Sequence, residues 1–328
     1  MHVRCYQIVI KLKMECLADN PRSHILLTIL SNPSVYTINP ATKQSSVLTT
    51  IPGKTSLFAI AELQKDEFYV SAGNFSITAG TLEPGSFALF RIDITCPKHS
   101  QLGKDDEQIE NNRVERKETI AVQKVVDLPD ALLVNGMVTL RKDKKVLVPD
   151  SYKGIIFVVD VETNVVTHTI DLPQFHGPTG KVGINGIKIH KGYLYFTVSV
   201  PAALYRVRFD ETRAIVREGA EVVKIASDPV FMDDFAIDEK DRVWIATNAG
   251  NLVVVVDGDK VDQVNGTVAA GKTGAQDVGG PTAVAFGRGK DKELLYVVTS
   301  GGLGGGLNAG VAPEGGKVAA LDTNGFVV

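Results

Sequence analysis

One unit recurs six times along this chain, and that repetition constrains the fold more than any single motif. Each copy reads as a polar residue, an apolar strand, a turn rich in charged residues, a second apolar strand and then Ser, Thr or Asn. The copies run from Glu15 through Ile25-Leu26-Leu27 to Ser31, from Ser56 through Phe68-Tyr69-Val70 to Ser71, and from Asn135 through Val146-Leu147-Val148 to Ser151. The other three run from Asn185 through Leu194-Tyr195-Phe196 to Ser199, from Asp233 through Val243-Trp244-Ile245 to Asn248, and from Thr282 through Leu294-Leu295-Tyr296 to Ser300. From Asn135 onward the starts are spaced by about 50 residues, the period of a propeller blade. Six copies predict an all-β, six-bladed β-propeller with four-stranded antiparallel blades, folded as one domain over residues 1–328.

The turns agree with this reading. Gln64-Lys65-Asp66, Lys142-Asp143-Lys144, His190-Lys191-Gly192, Glu239-Lys240-Asp241 and Gly289-Lys290-Asp291 stand at equivalent places between paired strands, with Asp19-Asn20-Pro21 as the sixth. Turn chemistry at a fixed point of each copy makes each unit begin with a hairpin. Further apolar runs such as Ile155 to Val159 and Leu252 to Val256 supply third strands. The interval between Ser56 and Asn135 is lengthened by a polar stretch at about 98–120, which reads as a solvated surface insertion. An N-terminal strand from Gln7 to Leu12 is expected to close the ring by pairing with Lys317–Ala320 and Phe326–Val328, removing exposed edges.

Composition narrows the function classes. With 35 Lys and Arg against 38 Asp and Glu, the net charge of −3 offers no basic surface for nucleic acid. No apolar run approaches the ~20 residues of a membrane span. Three cysteines, Cys5, Cys16 and Cys96, have no C-x-x-C spacing, so neither a disulfide framework nor a zinc site is expected. Lys11 and Lys13 interrupt the N-terminal apolar stretch before a signal-peptide core forms, which points to the cytoplasm, with secretion open if the N-terminus is incomplete. The sequons at Asn74 and Asn265 point weakly the other way. Oligomeric state is not readable.

In a propeller the first strand of each blade lines the central channel, so the residues that start the copies fall on one ring near one mouth. Here they are Glu15, Ser56, Asn135, Asn185, Asp233 and Thr282. Asn, Asp, Ser and Thr also start strands for local hydrogen bonding alone, whereas Glu has no such preference. Two carboxylates and two carboxamides converging on one axis would suit a hard divalent cation. Without metal, a desolvated carboxyl serves as general acid or base while amides hold a carbonyl or oxyanion. His176 lies in a Gly/Pro-rich connection that reads as an ordinary loop, and Gly301 to Gly306 reads as a loop over the mouth rather than a nucleotide cradle.

Asn135-Gly136-Met137, Asn185-Gly186-Ile187 and Asp233-Asp234-Phe235-Ala236-Ile237-Asp238 resemble the strand-start motifs of the senescence-marker protein, gluconolactonase and lactonase-like propellers. That resemblance implies a divalent-metal site on Glu15, Asn135, Asn185 and Asp233. Ala72-Gly73-Asn74-Phe75-Ser76, Gly183-Ile184-Asn185-Gly186-Ile187-Lys188, Gly280-Pro281-Thr282-Ala283-Val284-Ala285-Phe286-Gly287 and Thr299-Ser300-Gly301-Gly302 resemble a fungal natural-product branch. This branch includes hetero-Diels-Alderases of tropolone sesquiterpenoid biosynthesis, which need not retain metal. Asp233-Asp234 departs from the lactonase-like Asp-Gly.

The resemblance leads to an expected pericyclase that joins an ortho-quinone methide to a terpene polyene, taking hydrophobic small molecules as partners and needing no cofactor. Its catalytic residues would be Asp233, Asn185, Asn135 and Glu15. Its substrates would be lined by Phe75, Met137, Tyr152, Phe231, Met232, Thr282 and Ser300. The alternative is a lactonase in which a divalent cation on the four ring residues polarises the lactone carbonyl.

Overall fold

Apolar strands closed by turn residues pair into hairpins, and the hairpins into six sheets arranged as the blades of a β-propeller. The computed structural model describes residues 10–12, 24–76, 79–95, 119–228, 230–271, 278–301 and 315–328. From the axis outward, blade I is built of Ile10–Leu12, Ile25–Ile29, Asn32–Asn39 and Gln44–Thr50, and blade II of Ser56–Gln64, Glu67–Gly73, Ala88–Thr95 and Thr119–Asp127. Blade III comprises Val138–Leu140, Lys145–Asp150, Ile155–Asp160 and Val165–Asp171. Blade IV has Ile184–His190, Tyr193–Val198, Ala203–Asp210 and Val223–Ser227, and blade V has Phe235–Ile237, Arg242–Ala246, Leu252–Asp257 and Thr267–Gly271. Three described strands, Pro281–Phe286, Leu294–Thr299 and Val318–Asp322, form blade VI. Of the stretch at 98–120, residues 98–118 lie outside the described residues, and Thr119 and Ile120 open the outermost strand of blade II.

The predicted turns use left-handed backbone where the sequence supplies it: Asp66, Lys144, Lys191 and Asp241 have φ of 60°, 50°, 48° and 61°. Second strands are the buried hearts of the blades. Val146, Leu147 and Val148 are fully buried, as are Leu194 and Phe196 and, in blade V, Val243, Trp244 and Ile245. Side chains alternate between the two faces of a blade, so each blade feeds two neighbouring cores, and burial of such side chains contributes roughly 1.5–3 kcal/mol each.

Ring closure differs from the sequence expectation. Of the expected strand Gln7–Leu12, residues 7–9 lie outside the described residues, and the described part, Ile10–Leu12, pairs inside its own blade, with Ile10 opposite Leu27 and Leu12 opposite Ile25, rather than with Val318–Asp322. Val318–Asp322 pairs with Leu294–Thr299, while Phe326 packs its ring 5.0 Å from that of Trp244. The reason is that Ile25–Ile29 needs an inner partner, which this segment provides. Between the last and first blades the joint is made by side chains: Ile25, Leu27 and Ile29 pack with Tyr296 and Val298. At the mouth opposite the strand starts, the buried carboxylate of Glu62 accepts from Arg288 at 2.7 Å and Arg141 at 3.3 Å, joining blades VI, II and III.

Inner strands must approach one another closely at the axis. A Cβ on Gly136 would stand 2.7 Å from the Asn185 carbonyl oxygen, and one on Gly186 would stand 2.4 Å from Asp234 Oδ1 and 2.9 Å from its Cα. The Asn-Gly steps therefore place a polar side chain beside a position where only hydrogen fits. Gly186→Ala is expected to destabilise the protein by about 1–3 kcal/mol through overpacking. Equilibrium urea unfolding checks this, and an unchanged midpoint would contradict the close approach.

Candidate functional site

Ser56, Asn135, Asn185, Asp233 and Thr282 sit at equivalent starts of inner strands, and the structure gives them different work. The inner strand of blade I, Ile10–Leu12, ends before Glu15, so the sequence reading of Glu15 as a strand start does not hold. Ser56, Asn185, Asp233 and Thr282 are buried and Asn135 is half-buried. Glu15 lies outside the described residues, as do residues 302–306 of the glycine loop. The second strands run back toward the same mouth, so their terminal Ser or Asn residues form a second polar tier beside the ring. Ser151 Oγ donates to the Ile184 carbonyl at 2.6 Å, and Ser199 Oγ to the Met232 carbonyl at 2.9 Å. Each hydroxyl thus grips the residue just before the next blade's ring member, Asn185 or Asp233, and fixes its position.

Asp233 is the most constrained member. Its backbone N–H donates to the Ala246 carbonyl, and its own carbonyl accepts from Thr197 Oγ1 of blade IV at 2.7 Å. Asn248 Nδ2 donates to its carboxylate at 2.8 Å. Burial pushes the carboxyl pKa up to about 7; the nearby Asp234 charge pushes the same way, while hydrogen bonds from Asn248 and Asn185 favour the anion. Asp234 is partnered by Lys188 of blade IV, whose ammonium also lies 5.1 Å from the Phe235 ring centroid. The Asp at 234 is thus accommodated by the missing Cβ of Gly186 and neutralised by a lysine one strand away.

Asn185 donates from Nδ2 to Ser199 Oγ at 2.9 Å, and its Oδ1 is buried with no hydrogen-bond partner. An orphaned carboxamide oxygen beside a desolvated carboxyl is a donor set suited to a hard cation, and Asn135 adds a second carboxamide on the same ring. No cluster of three or more His, Cys, Asp or Glu stands together among the described residues, so the site offers mixed amide and carboxyl oxygens.

Ser56 is spent otherwise: its Oγ donates to the Phe75 carbonyl at 2.8 Å. Thr282 meets blade V through its backbone, its carbonyl accepting the Asp234 N–H at 3.3 Å, and Ser300 Oγ donates to the Gly280 carbonyl. Of the residues assigned to substrate, Phe75 and Phe231 are half-buried and Tyr152 is 44% exposed, whereas Met137 and Met232 are packed into hydrophobic clusters between blades. His176 pairs with Asp171 at 2.8 Å, at the end of the outermost strand of blade III.

Two residues of the site were not singled out from the sequence. Asn248 was legible as the exception in a column of serines, since Ser31, Ser71, Ser151, Ser199 and Ser300 end the other copies. Asp150 carried no such signal. Fully buried, its carboxylate accepts from the backbone N–H groups of Leu132, Leu133, Tyr152 and Lys153, and so holds the segment that delivers Asn135.

Residues 180–301, from blade IV to the second strand of blade VI, match the model of the SMP-30/Gluconolactonase/LRE-like region. Residues 180–301 are thus similar to that family's region. The chain is similar to a protein of Sarocladium schorii named as a candidate hetero-Diels-Alderase, with 30% identity over 241 residues, 62% of this chain and 57% of that one. It is also similar to pentonolactonase XacC of Haloferax volcanii, with 32% identity over 165 residues, 50% of this chain and 51% of that one. The chain thus spans about half the length of the curated relatives it matches. In fold it is similar to a luciferin-regenerating enzyme, with a TM-score of 0.64 at 12% identity, covering 98% of this chain and 94% of that one. No described helix is long and apolar enough to cross a membrane.

The raised pKa of Asp233 has a sign. Between about pH 4 and pH 7 the native state holds a proton that the unfolded chain has lost, so its stabilising effect is full below pH 4 and is lost as the pH rises through 7. At ~1.4 kcal/mol per pKa unit the effect is at most roughly 4 kcal/mol. Urea midpoints measured from pH 4 to 8 should therefore fall more for the wild type than for Asp233→Asn; parallel profiles would contradict the assignment.

Proposed function

We propose that this propeller is a cyclase that joins two small-molecule reactants by a hetero-Diels-Alder addition at the mouth ringed by Asn135, Asn185 and Asp233. The observation that carries the reading is the buried Asp233 carboxyl, whose pKa is raised to about 7 so that a substantial share keeps its proton near neutral pH, in a chain 30% identical over 241 residues to a candidate hetero-Diels-Alderase. A neutral carboxylic acid donates a hydrogen bond to the carbonyl oxygen of an oxadiene, withdraws electron density from it and narrows the gap to an electron-rich alkene. The addition forms one C–C and one C–O bond in a single step and transfers no proton, so the site has to orient and polarise. Asn248 and Asn185 fix the carboxyl, and the role of Asn135 in this reading is to hold a second oxygen of the heterodiene. The same acid assists loss of water from a hydroxymethyl precursor, the step that generates an ortho-quinone methide, a contribution typically of ~10²–10⁴ in rate.

A second reading rests on a different observation, the unpartnered Oδ1 of Asn185. With Asp233 and Asn135 it would hold a divalent cation, which when bound would polarise a lactone carbonyl and lower the pKa of a water. In that setting Asp233 acts as an anionic ligand and Ser199 orients Asn185.

The test uses purified protein treated with chelator and supplied with a quinone-methide precursor and a cyclic polyene. The expected result is stereodefined adduct above the buffer background, about 10²-fold or more less with Asp233→Ala, and falling above pH 7 in the wild type. Absence of adduct, together with lactone hydrolysis restored by calcium or zinc, would overturn the cyclase reading in favour of the second.

A further inference from the structure

Beside the ring, at the same mouth, an open cleft of about 720 Å³ lies between the end of the second strand of blade I and a small hairpin of blade II. The paired strands of that hairpin are Phe75–Ser76 and Thr81–Leu82. Most of its polar groups are engaged internally, the buried Oδ1 of Asn74 being an exception. Ser56 Oγ donates to the Phe75 carbonyl, the Phe75 N–H donates to Thr55 Oγ1 at 3.1 Å, and Asn74 Nδ2 donates to Glu83 Oε2 at 2.7 Å. The Phe75 ring is backed by Phe58 at 6.2 Å, which in turn packs on Phe87 at 5.1 Å. The wall is thus preformed, and what it turns toward the cleft is Phe75, Leu82 and Pro84 with a fringe of hydroxyls from Ser31, Ser76 and Thr81.

The volume lies in the range of small-molecule pockets, which are mostly apolar and largely preformed. Among the described residues no Lys, Arg or His lines the cleft, and the one charged residue there is Glu83, whose carboxylate disfavours anions and is already bonded to Asn74. The complementary ligand is neutral and hydrocarbon-rich, drawn in by burial of apolar surface against a ring. We infer that this cleft seats the apolar reactant of the coupling, with Phe75 and Leu82 as its specificity-determining residues. The ligand's role rests on the cyclase reading; its location does not. The ring member Ser56 then acts as a positioning residue that fixes the wall on which that reactant lies.

The experiment is a fluorescence titration of the full chain with the neutral probe N-phenyl-1-naphthylamine, displaced by a neutral cyclic polyene. The panel includes wild type, Phe75→Ala, Phe75→Leu, Leu82→Asp and, as a control far from the cleft, Val264→Thr, each first shown by thermal melting to be folded. The expected result is at least about tenfold weaker probe binding for Phe75→Ala and Leu82→Asp, near-normal binding for Phe75→Leu and unchanged binding for Val264→Thr. Unchanged binding in folded Phe75→Ala and Leu82→Asp would overturn the inference. So would Phe75-dependent binding of an anionic naphthalene sulfonate as tight as that of the neutral probe. If the cyclase reading alone is wrong, no adduct forms while the Phe75 dependence of probe binding remains.

Discussion

Everything at the mouth depends on how closely six inner strands can approach one axis. Where a strand passes its neighbour, a Cβ at 136 or 186 would meet backbone or carboxylate at less than 3 Å. Glycine relieves that crowding, and the residue before it, Asn135 or Asn185, is thereby set at a fixed place near the axis. Blade V reverses the arrangement: Asp234 stands where blades III and IV have glycine, because Gly186 leaves room for its side chain and Lys188 balances its charge. The polar character of the mouth is thus a product of packing at the axis.

Position is then fixed from blade to blade. Ser151 and Ser199 each bind the carbonyl just before the next ring member, and Thr197 binds that of Asp233 itself. Buried hydrogen bonds of this kind cost little when made and about 1–3 kcal/mol when one partner is removed, so they hold the ring rigidly. Rigidity of this kind leaves the dipoles of the mouth preorganised, as the proposed acid catalysis requires. A desolvated Asp233 between Asn185 and Asn248 is the outcome.

The repeat made the fold legible, because each blade's second strand is a continuous apolar run bounded by turn residues. The outermost strands were not located from the sequence. Gln44–Thr50 and Val165–Asp171 are largely exposed and rich in Ser, Thr and His, so neither alternation nor an apolar run marks them. Ring closure was misread because pairing of termini is a long-range choice, and Ile10–Leu12 satisfies the edge of Ile25–Ile29 instead. In the site, the starts of the copies could be named, but not their division of labour: Ser56 as a tether for Phe75, and Asp150 as a cap on four backbone amides, follow from loop geometry that no local pattern encodes.

The account turns on one proton, that of a buried carboxylic acid at the centre of the mouth. Carbon-13 NMR of the protein labelled at aspartate side-chain carboxyls, followed from pH 3 to 9 in wild type and Asp233→Asn, observes it directly. The account predicts one resonance with a midpoint near 7 that is missing in the variant. If every aspartate carboxyl titrates below about pH 5, as ordinary exposed carboxylates do, the acid at the mouth does not exist and the account is wrong.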